Sequence, residues 1–227
     1  MDVDVVVFDI VGTLVDEVGT VTAATTAALG AVGVDAGRSA RIAHDWLAGF
    51  DAATGRIARG EQEWASDGEI RRRLLHQLLQ ADNVELAPEA FDELATVARR
   101  LVPWPGAAAE VAALAELTTV TGLTNASLDQ VAEISARGGL RWHAVLSTAL
   151  ARTYKPAPAV YRLAIDLLDL DPQRALFVAA HPWDLRGAAK EGFRTAYLPR
   201  PHADGPTVDD NFDLHLDSLA HLADLLR

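Results

Sequence analysis

The sequence predicts an α/β protein built on a doubly wound parallel sheet, with an all-helical cap inserted into it. Three observations predict this: a β-branched run near the amino terminus, a long helical block after it, and a regular alternation of strands and helices from about residue 103 onward. Such alternation is typical of parallel sheets covered by helices on both faces, as in a Rossmann-like core. We therefore expect residues 1–16 and 101–227 to form the α/β core domain and residues 17–100 the helical cap domain.

The first element is a strand that ends on an aspartate. Residues 3–8 are mostly valine, Asp9 follows them, and Gly12-Thr13 then marks a tight turn. A β-branched run is typical of a buried parallel strand, and open α/β sheets place their ligands at the carboxyl ends of such strands. A carboxylate at this place is well sited to act as a nucleophile, although an aspartate that caps a helix or loop would give the same pattern.

The block from Asp16 to about Arg100 carries no strong strand signal. Helical patterns cover residues 20–32, 39–58 and 69–79. The basic run 71–73 falls on the third pattern, and we expect it to form a solvated face. Four of the tryptophans are expected to pack in the core or at the hinge, namely Trp46, Trp64, Trp104 and Trp142.

Strands and helices alternate in the second half of the chain. The predicted helices cover 108–117, 128–138, 156–168 and 184–191, with a further helix at the carboxyl end, and the predicted strands cover 118–124, 144–148, 175–180 and 195–198. Proline near a helix start and glycine after a helix end are typical boundary signals, and Pro156 and Gly192 match them. Residues 200–211 are rich in Pro, Gly and Asp and predict an ordinary surface loop.

The composition and net charge of the chain argue against several classes of function. Of 227 residues, 50% are hydrophobic, which allows a large core. A formal net charge of -12 argues against a nucleic-acid partner and against an anionic membrane surface, so a small-molecule substrate is the expected partner. The chain has no cysteine, and its histidines lack metal-ligand spacing, so thiolate chemistry and a zinc site are not expected. No apolar run reaches the roughly 18 residues that span a bilayer, and the first residues lack a basic signal segment, so we expect a cytoplasmic protein.

Polar side chains follow several of the predicted strands. Asp9 and Thr13 follow the first strand, Thr124 and Asn125 end the second, and further polar residues come later, namely Lys155, His181 and Asp184. Residues just past the ends of parallel strands meet in one crevice. Taken singly, each could be a helix cap or a surface residue, but together they predict a site.

In this order, these residues resemble the four motifs of the haloacid dehalogenase-like hydrolase superfamily. The motifs match residues 8–14, 123–125, 154–156 and 178–184. The resemblance covers the whole chain, because this family inserts a helical cap after its first strand. The chain is most similar to the type II 2-haloacid dehalogenases. Tyr161 and Trp183 match that branch, and Val11 stands where the phosphatases of the superfamily carry their acid.

The resemblance implies a hydrolase of small 2-halocarboxylates that needs no metal or cofactor. Asp9 would displace the halogen and form an ester, which water then hydrolyses. Lys155 would keep Asp9 ionised, Asp184 would orient Lys155 and help to activate water, and Thr13 would fix the turn. The substrate-binding residues implied in this way are Ile10, Thr124, Asn125, Tyr161, His181 and Trp183. A homodimer is also implied.

Two departures from the branch leave other functions open. Leu47 stands where the dehalogenases carry a cap arginine that assists halide departure, and the nearby arginines are better explained as solvated, namely Arg41, Arg56 and Arg59. Residues 179–181 are Ala-Ala-His where the branch often has Ser-Ser-Asn, so His181 is either a polar group or base near the ester, or a residue at a helix start. The alternatives are a phosphatase with magnesium held by Asp9, Val11 and Asp184, and a binding protein that has lost turnover.

Overall fold

The computed structural model describes residues 2–227, and a six-stranded sheet with the order β5-β4-β1-β6-β7-β8 lies at the centre of them. All neighbouring strands of this sheet are parallel. In chain order the strands are β1 Val5–Phe8, β2 Val15–Asp16, β3 Val102–Pro103, β4 Thr119–Thr124, β5 Ala144–Ser147, β6 Ala175–Ala179, β7 Arg194–Tyr197 and β8 Leu214–His215.

Helices precede or follow most of these strands. They are α1 Glu17–Gly30, α2 Ala36–Ala58, α3 Asp67–Ala81, α4 Pro88–Ala95, α5 Ala107–Ala115, α6 Leu128–Gly138, α7 Pro158–Leu168, α8 Pro182–Lys190 and α9 Leu219–Leu226. Short 3-10 helices lie at Val97–Arg100, Thr148–Ala151 and Pro172–Arg174.

Strand β1 is buried on both of its faces. Side chains alternate along a strand, so Val5 and Val7 point to one face and Val6 and Phe8 to the other. The first pair packs in a cluster that contains Val160 of α7 and residues of α8, while the second pair packs in a cluster with residues of α5, α6 and α9. Helices therefore cover both faces of the sheet, which confirms the predicted α/β class.

The helices α1 to α4 and one 3-10 helix lie between β2 and β3 in the chain. These two short strands pair antiparallel, with Val15 opposite Pro103 and Asp16 opposite Val102. The chain therefore leaves and rejoins the core at adjacent points.

Trp46 of α2 is buried and donates from Nε1 to the backbone oxygen of Arg71 at 2.9 Å, which joins α2 to α3.

Most predicted elements occur within a few residues of their expected ends, but some elements were not predicted. Strands β2, β3 and β8 have two residues each, which is too short for a period of hydrophobicity to show. Helix α4 is a further addition, and it begins at a proline, as helices often do. Each of these elements is defined mainly by its tertiary partners.

Candidate active site

Asp9 lies immediately after β1, where the backbone turns sharply. Its backbone N–H donates to the oxygen of Val178 at 2.9 Å, and its side chain is almost fully buried. Gly12 completes the turn with a φ of 85°, and a Cβ at this position would lie 2.4 Å from Nε2 of His181. Glycine is therefore required here both by the backbone conformation and by the space available.

Thr13 connects the ends of two strands. Its Oγ1 donates to Oδ2 of Asp9 at 2.6 Å and accepts from the backbone N–H of Ala180 at 2.9 Å. Ala180 directly follows β6, so Thr13 fixes the Asp9 carboxylate relative to that strand. The side chain of Thr13 is fully buried, so water does not compete for these two hydrogen bonds.

The ammonium group of Lys155 lies between two carboxylates. Its Nζ donates to Oδ1 of Asp9 at 2.9 Å and to Oδ2 of Asp184 at 2.8 Å, and its side chain is buried. Burial alone would lower the pKa of Lys155, but the charges of Asp184 and Asp9 outweigh it and raise the pKa above its ordinary value. Lys155 is therefore a permanent cation beside Asp9.

Asp184 lies behind this lysine and is completely buried. Its Oδ1 accepts from Oη of Tyr161 at 2.6 Å, while its Oδ2 accepts from Lys155. Burial raises the pKa of Asp184 above its ordinary value, and Lys155 opposes that rise. Burial also raises the pKa of Tyr161, so its hydroxyl keeps its proton and remains a donor. Both oxygens of Asp184 are thus occupied.

We expect Gly187→Ala to disturb this support. A Cβ at Gly187 would lie 2.4 Å from Oη of Tyr161, so the tyrosine would have to move away from Asp184. Overpacking of this kind costs about 1–3 kcal/mol, which urea unfolding would measure. The control is Gly68→Ala in α3, where nothing lies within 4 Å of the new Cβ. That change should be neutral or slightly stabilising. Equal stability of the two variants would contradict the prediction.

A cavity of ≈350 Å³ lies in front of Asp9, between the strand ends and the helices α2 and α3. Of the predicted site residues, five line it, namely Asp9, Asn125, Lys155, His181 and Trp183. The others lie behind its wall, namely Ile10, Thr13, Thr124, Tyr161 and Asp184. The side chain of Ile10 packs in the hydrophobic core, so only its backbone can reach a ligand. Thr124 is buried, and its Oγ1 accepts from the backbone N–H of Ala126 at 3.1 Å.

Asn125 faces the cavity with one half of its amide. Its Oδ1 accepts from the backbone N–H of Lys155 at 2.9 Å, which holds the start of the third motif against the end of β4. The amide nitrogen Nδ2 keeps its two hydrogens for a ligand.

His181 and Trp183 form the part of the wall at the start of α8. Their rings stack at a centroid distance of 5.5 Å, and Trp183 is 38% exposed. Nε2 of His181 lies 3.3 Å from the backbone oxygen of Val11. A carbonyl only accepts, so Nε2 of His181 is the donor in this contact.

On the cap side, Leu47 lines the cavity, as do Phe50, Asp51 and Thr54 of the same helix. The arginines near Leu47 in sequence do not line the cavity. Arg41 pairs with Asp82 and Arg59 with Glu61 at the surface, and Arg56 is exposed too. The expectation that these three side chains are solvated is confirmed.

The expected solvated face at 71–73 is wrong at its first residue. Arg71 is only 3% exposed and lines the cavity, whereas Arg72 and Arg73 are exposed. Its Nε donates to Oδ1 of Asp67 at 3.0 Å, its Nη2 donates to Glu17, and its guanidinium lies 3.9 Å from the centre of the Phe50 ring. Two sequence signals could have found it. Asp67 stands four residues earlier, and Leu75 stands four residues later on the same buried face.

The tryptophans are placed largely as expected. Trp46 is core, and Trp64 and Trp142 pack against hydrophobic clusters. Trp104 lies beside β3, lines the cavity, and donates from Nε1 to the oxygen of Gly12 at 3.1 Å. It therefore supports the turn that carries Asp9.

The carboxyl group of Asp51 is expected to make the stability of the protein depend on pH. Its carboxylate is open to the cavity, but protein surrounds most of it, and this burial together with the charge of Glu17 raises the pKa of Asp51 to about 6. Because the unfolded value is about 3.9, the folded state holds more protons between these two pH values, and stability falls as pH rises through them. Asp51→Asn should therefore raise the melting temperature at pH 7.5 (about 1.5 units above this pKa), and less so at pH 5. Asp45→Asn, the same substitution at a half-exposed position of the same helix, is the control, and a gain independent of pH would contradict the prediction.

Within residues 2–227, no group of three or more His, Asp or Glu side chains is arranged to hold a metal ion. The two carboxylates that a magnesium ion would need, those of Asp9 and Asp184, both accept from the Lys155 ammonium. A divalent cation at this place would meet a positive charge. The same part of the chain contains no helix both long enough and apolar enough to cross a membrane.

Comparison with known proteins agrees with this geometry. A family model described as haloacid dehalogenase-like hydrolase matches residues 3–192. An (S)-2-haloacid dehalogenase of Xanthobacter autotrophicus is 32% identical over 200 residues, which are 86% of this chain and 74% of that protein. The solved structure of the L-2-haloacid dehalogenase PA0810 superposes with a TM-score of 0.85 at 26% identity, covering 99% of this chain and 98% of that one. The Xanthobacter autotrophicus L-2-haloacid dehalogenase with chloropropionic acid covalently bound gives a TM-score of 0.81 at 25% identity, with coverage of 99% and 98%.

Proposed function

The chain belongs to the haloacid dehalogenase-like hydrolase family, and we propose that it is a 2-haloacid dehalogenase that acts through an ester on Asp9. The observation that carries the proposal is the Lys155 ammonium, held between Asp9 and Asp184 with no acid at Val11. A halide leaves without being protonated, so the reaction does not need the acid that a leaving alkoxide would require.

In the first step, a carboxylate oxygen of Asp9 attacks the carbon that bears the halogen. The new C–O bond forms as the carbon–halogen bond breaks, and the halide leaves with the bonding electrons. Lys155 and Thr13 each donate to one oxygen of Asp9, which keeps the carboxylate ionised and aimed into the cavity. Closure by α2 and α3 removes water that would otherwise solvate the nucleophile.

In the second step, water attacks the carbonyl carbon of the Asp9 ester. The bond from that carbon to the substrate oxygen breaks, the 2-hydroxy acid leaves, and the Asp9 carboxylate is restored. His181 is the group we assign to accept the proton of this water and return it to the leaving oxygen, because it lines the cavity next to the Asp9 turn. Asp184 serves to orient Lys155, since both of its oxygens are already occupied.

The substrate carboxylate requires hydrogen-bond donors near Asp9. We assign this role to the Nδ2 group of Asn125 and to backbone N–H groups after Asp9, including that of Ile10. Trp183 supplies an apolar wall. Thr124 and Tyr161 support the site from behind and do not touch the substrate.

The division into domains is also part of this proposal. We place the core domain at residues 1–16 and 101–227 and the cap domain at 17–100. The antiparallel pair of β2 and β3 supports these limits, because it brings the two crossing points of the chain together. A homodimer is proposed on the resemblance to dehalogenases alone, and size-exclusion chromatography with light scattering would test it. The cytoplasmic location stays a prediction from the sequence.

The decisive experiment measures halide release from fluoro-, chloro- and bromoacetate, with and without a chelator. We expect release that the chelator does not change. A single turnover in ¹⁸O-labelled water should put the label into Asp9 and not into the product, because the product oxygen comes from Asp9. Folded protein that releases no halide, or hydrolyses an aryl phosphate only with magnesium, would overturn the proposal.

A further inference from the structure

In the proposed reaction, we expect the departing halide to move toward the cap. An in-line displacement places the leaving group opposite the attacking oxygen, and Asp9 lies at the core end of the cavity, just after β1. The opposite wall is built by residues of α2 and α3. An anion that forms there needs a donor, since Leu47, Phe50 and Asp51 offer none.

We propose that Arg71 donates hydrogen bonds to the departing halide, and that it thereby determines which leaving groups the enzyme releases. This inference rests on the proposed function. Of the described residues of α2 and α3 that line the cavity, Arg71 is the one with a cationic side chain. It comes from a different helix than Leu47.

The hydrogen-bond partners of Arg71 leave a donor available. A guanidinium carries five N–H groups. Nε donates to Asp67 and Nη2 donates to Glu17, but Nη1 is buried and has no partner among the described residues. A buried donor without a partner is costly, and a halide that came within hydrogen-bond distance of Nη1 would satisfy it.

The guanidinium is held rigidly in place. Asp67 also accepts from Nε2 of Gln130 at 2.5 Å, so the pair is fixed against α6 of the core, and the Phe50 ring supports the flat face of the guanidinium. Its Nε and Nη2 groups are paired with Asp67 and Glu17. A donor that is already oriented stabilises developing charge without reorganisation.

The charge around Arg71 predicts which kinetic constant changes. Asp67 and Glu17 balance its positive charge, and Asp51 adds a negative charge nearby. Arg71 therefore attracts the anionic substrate weakly but donates to the halide as the carbon–halogen bond breaks. We expect it to affect kcat more than KM, and to matter most for fluoride, which is the strongest hydrogen-bond acceptor of the halides.

The test measures kcat and KM of Arg71→Lys and of the wild type on fluoro-, chloro- and bromoacetate. Lysine retains the charge for Asp67 and Glu17 but loses the planar donor pair. Loss of one such donor typically costs about 100-fold or more, so we expect that loss for fluoroacetate and a much smaller one for bromoacetate, with little change in KM. Arg73→Met, an exposed change on the same helix, should match the wild type. An equal loss for all three substrates, or no loss, would overturn the inference.

A binding measurement separates this inference from the proposed function. Asp9→Asn removes the nucleophile, and bromide can then be titrated by tryptophan fluorescence with and without Arg71→Gln in the same chain. Weaker bromide binding with glutamine supports the role of Arg71, and unchanged binding overturns it. If the wild type releases no halide, the proposed function fails, while the bromide titration still tests Arg71. Thermal melting of each variant establishes that it is folded.

Discussion

Asp9→Asn is expected to abolish halide release, with a loss of roughly 10⁴-fold or more, as is usual when a covalent nucleophile is removed. The amide oxygen can still accept from Thr13 or Lys155, so the fold should persist. Mass spectrometry of acid-quenched wild type should show an ester on the peptide that contains Asp9. The variant should show none.

A matched control keeps this result specific. Asp166→Asn removes an equal charge from the exposed face of α7, and it should keep wild-type activity and show the ester. Halide release by Asp9→Asn that remains within about tenfold of the wild type would show that another group attacks the carbon, and would refute the mechanism.

Lys155→Met is expected to reduce both stability and activity strongly. The lysine is buried between Asp9 and Asp184, so its removal leaves two buried carboxylates without a counter-charge. Loss of one partner of a buried ion pair typically costs about 3–5 kcal/mol, and urea unfolding at pH 7.5 would measure it. Activity should fall too, because the ionised form of Asp9 loses its main support.

The pH dependence of the stability loss in Lys155→Met identifies its cause. Without Lys155, nothing opposes the rise that burial causes in the pKa of Asp184, so the penalty is present at high pH and shrinks as pH falls and this carboxylate takes up a proton. The difference between variant and wild type should therefore be smaller at pH 5.5. Adding Asp184→Asn to Lys155→Met should recover stability but not activity, and Lys190→Met at the exposed end of α8 is the control. A penalty independent of pH would contradict this explanation.

The sequence was sufficient to predict that Asp9, Lys155 and Asp184 lie together, although they are far apart in the chain. The reason is geometric, since the ends of parallel strands share one edge of the sheet. It was not sufficient to separate residues that line the cavity from those behind it. Thr124 ends a strand as expected, yet the direction of its side chain depends on the turn that follows.

Arg71 shows a second limit of prediction from the sequence, which concerns helix orientation. A run of three arginines on a helix resembles a solvated face, and only the rotation of α3 against α2 and the core decides which of them is buried. Its partner Glu17 lies 54 positions earlier in the chain. Such a contact has no local signal. Strand β8 was missed for a related reason, because it is defined by pairing with β7 and not by its own two residues.

The contact between Gln130, Asp67 and Arg71 also affects how substrate enters the active site and how product leaves it. Cap and core share this buried polar network, and Tyr154 of the core adds a hydrogen bond to the oxygen of Ala65 at 2.9 Å. Lifting the cap would unpair these groups at once, which makes opening costly and slow. We therefore expect a haloacid that has entered to react more often than it escapes. The hydroxy acid, in turn, must wait for the same opening to leave.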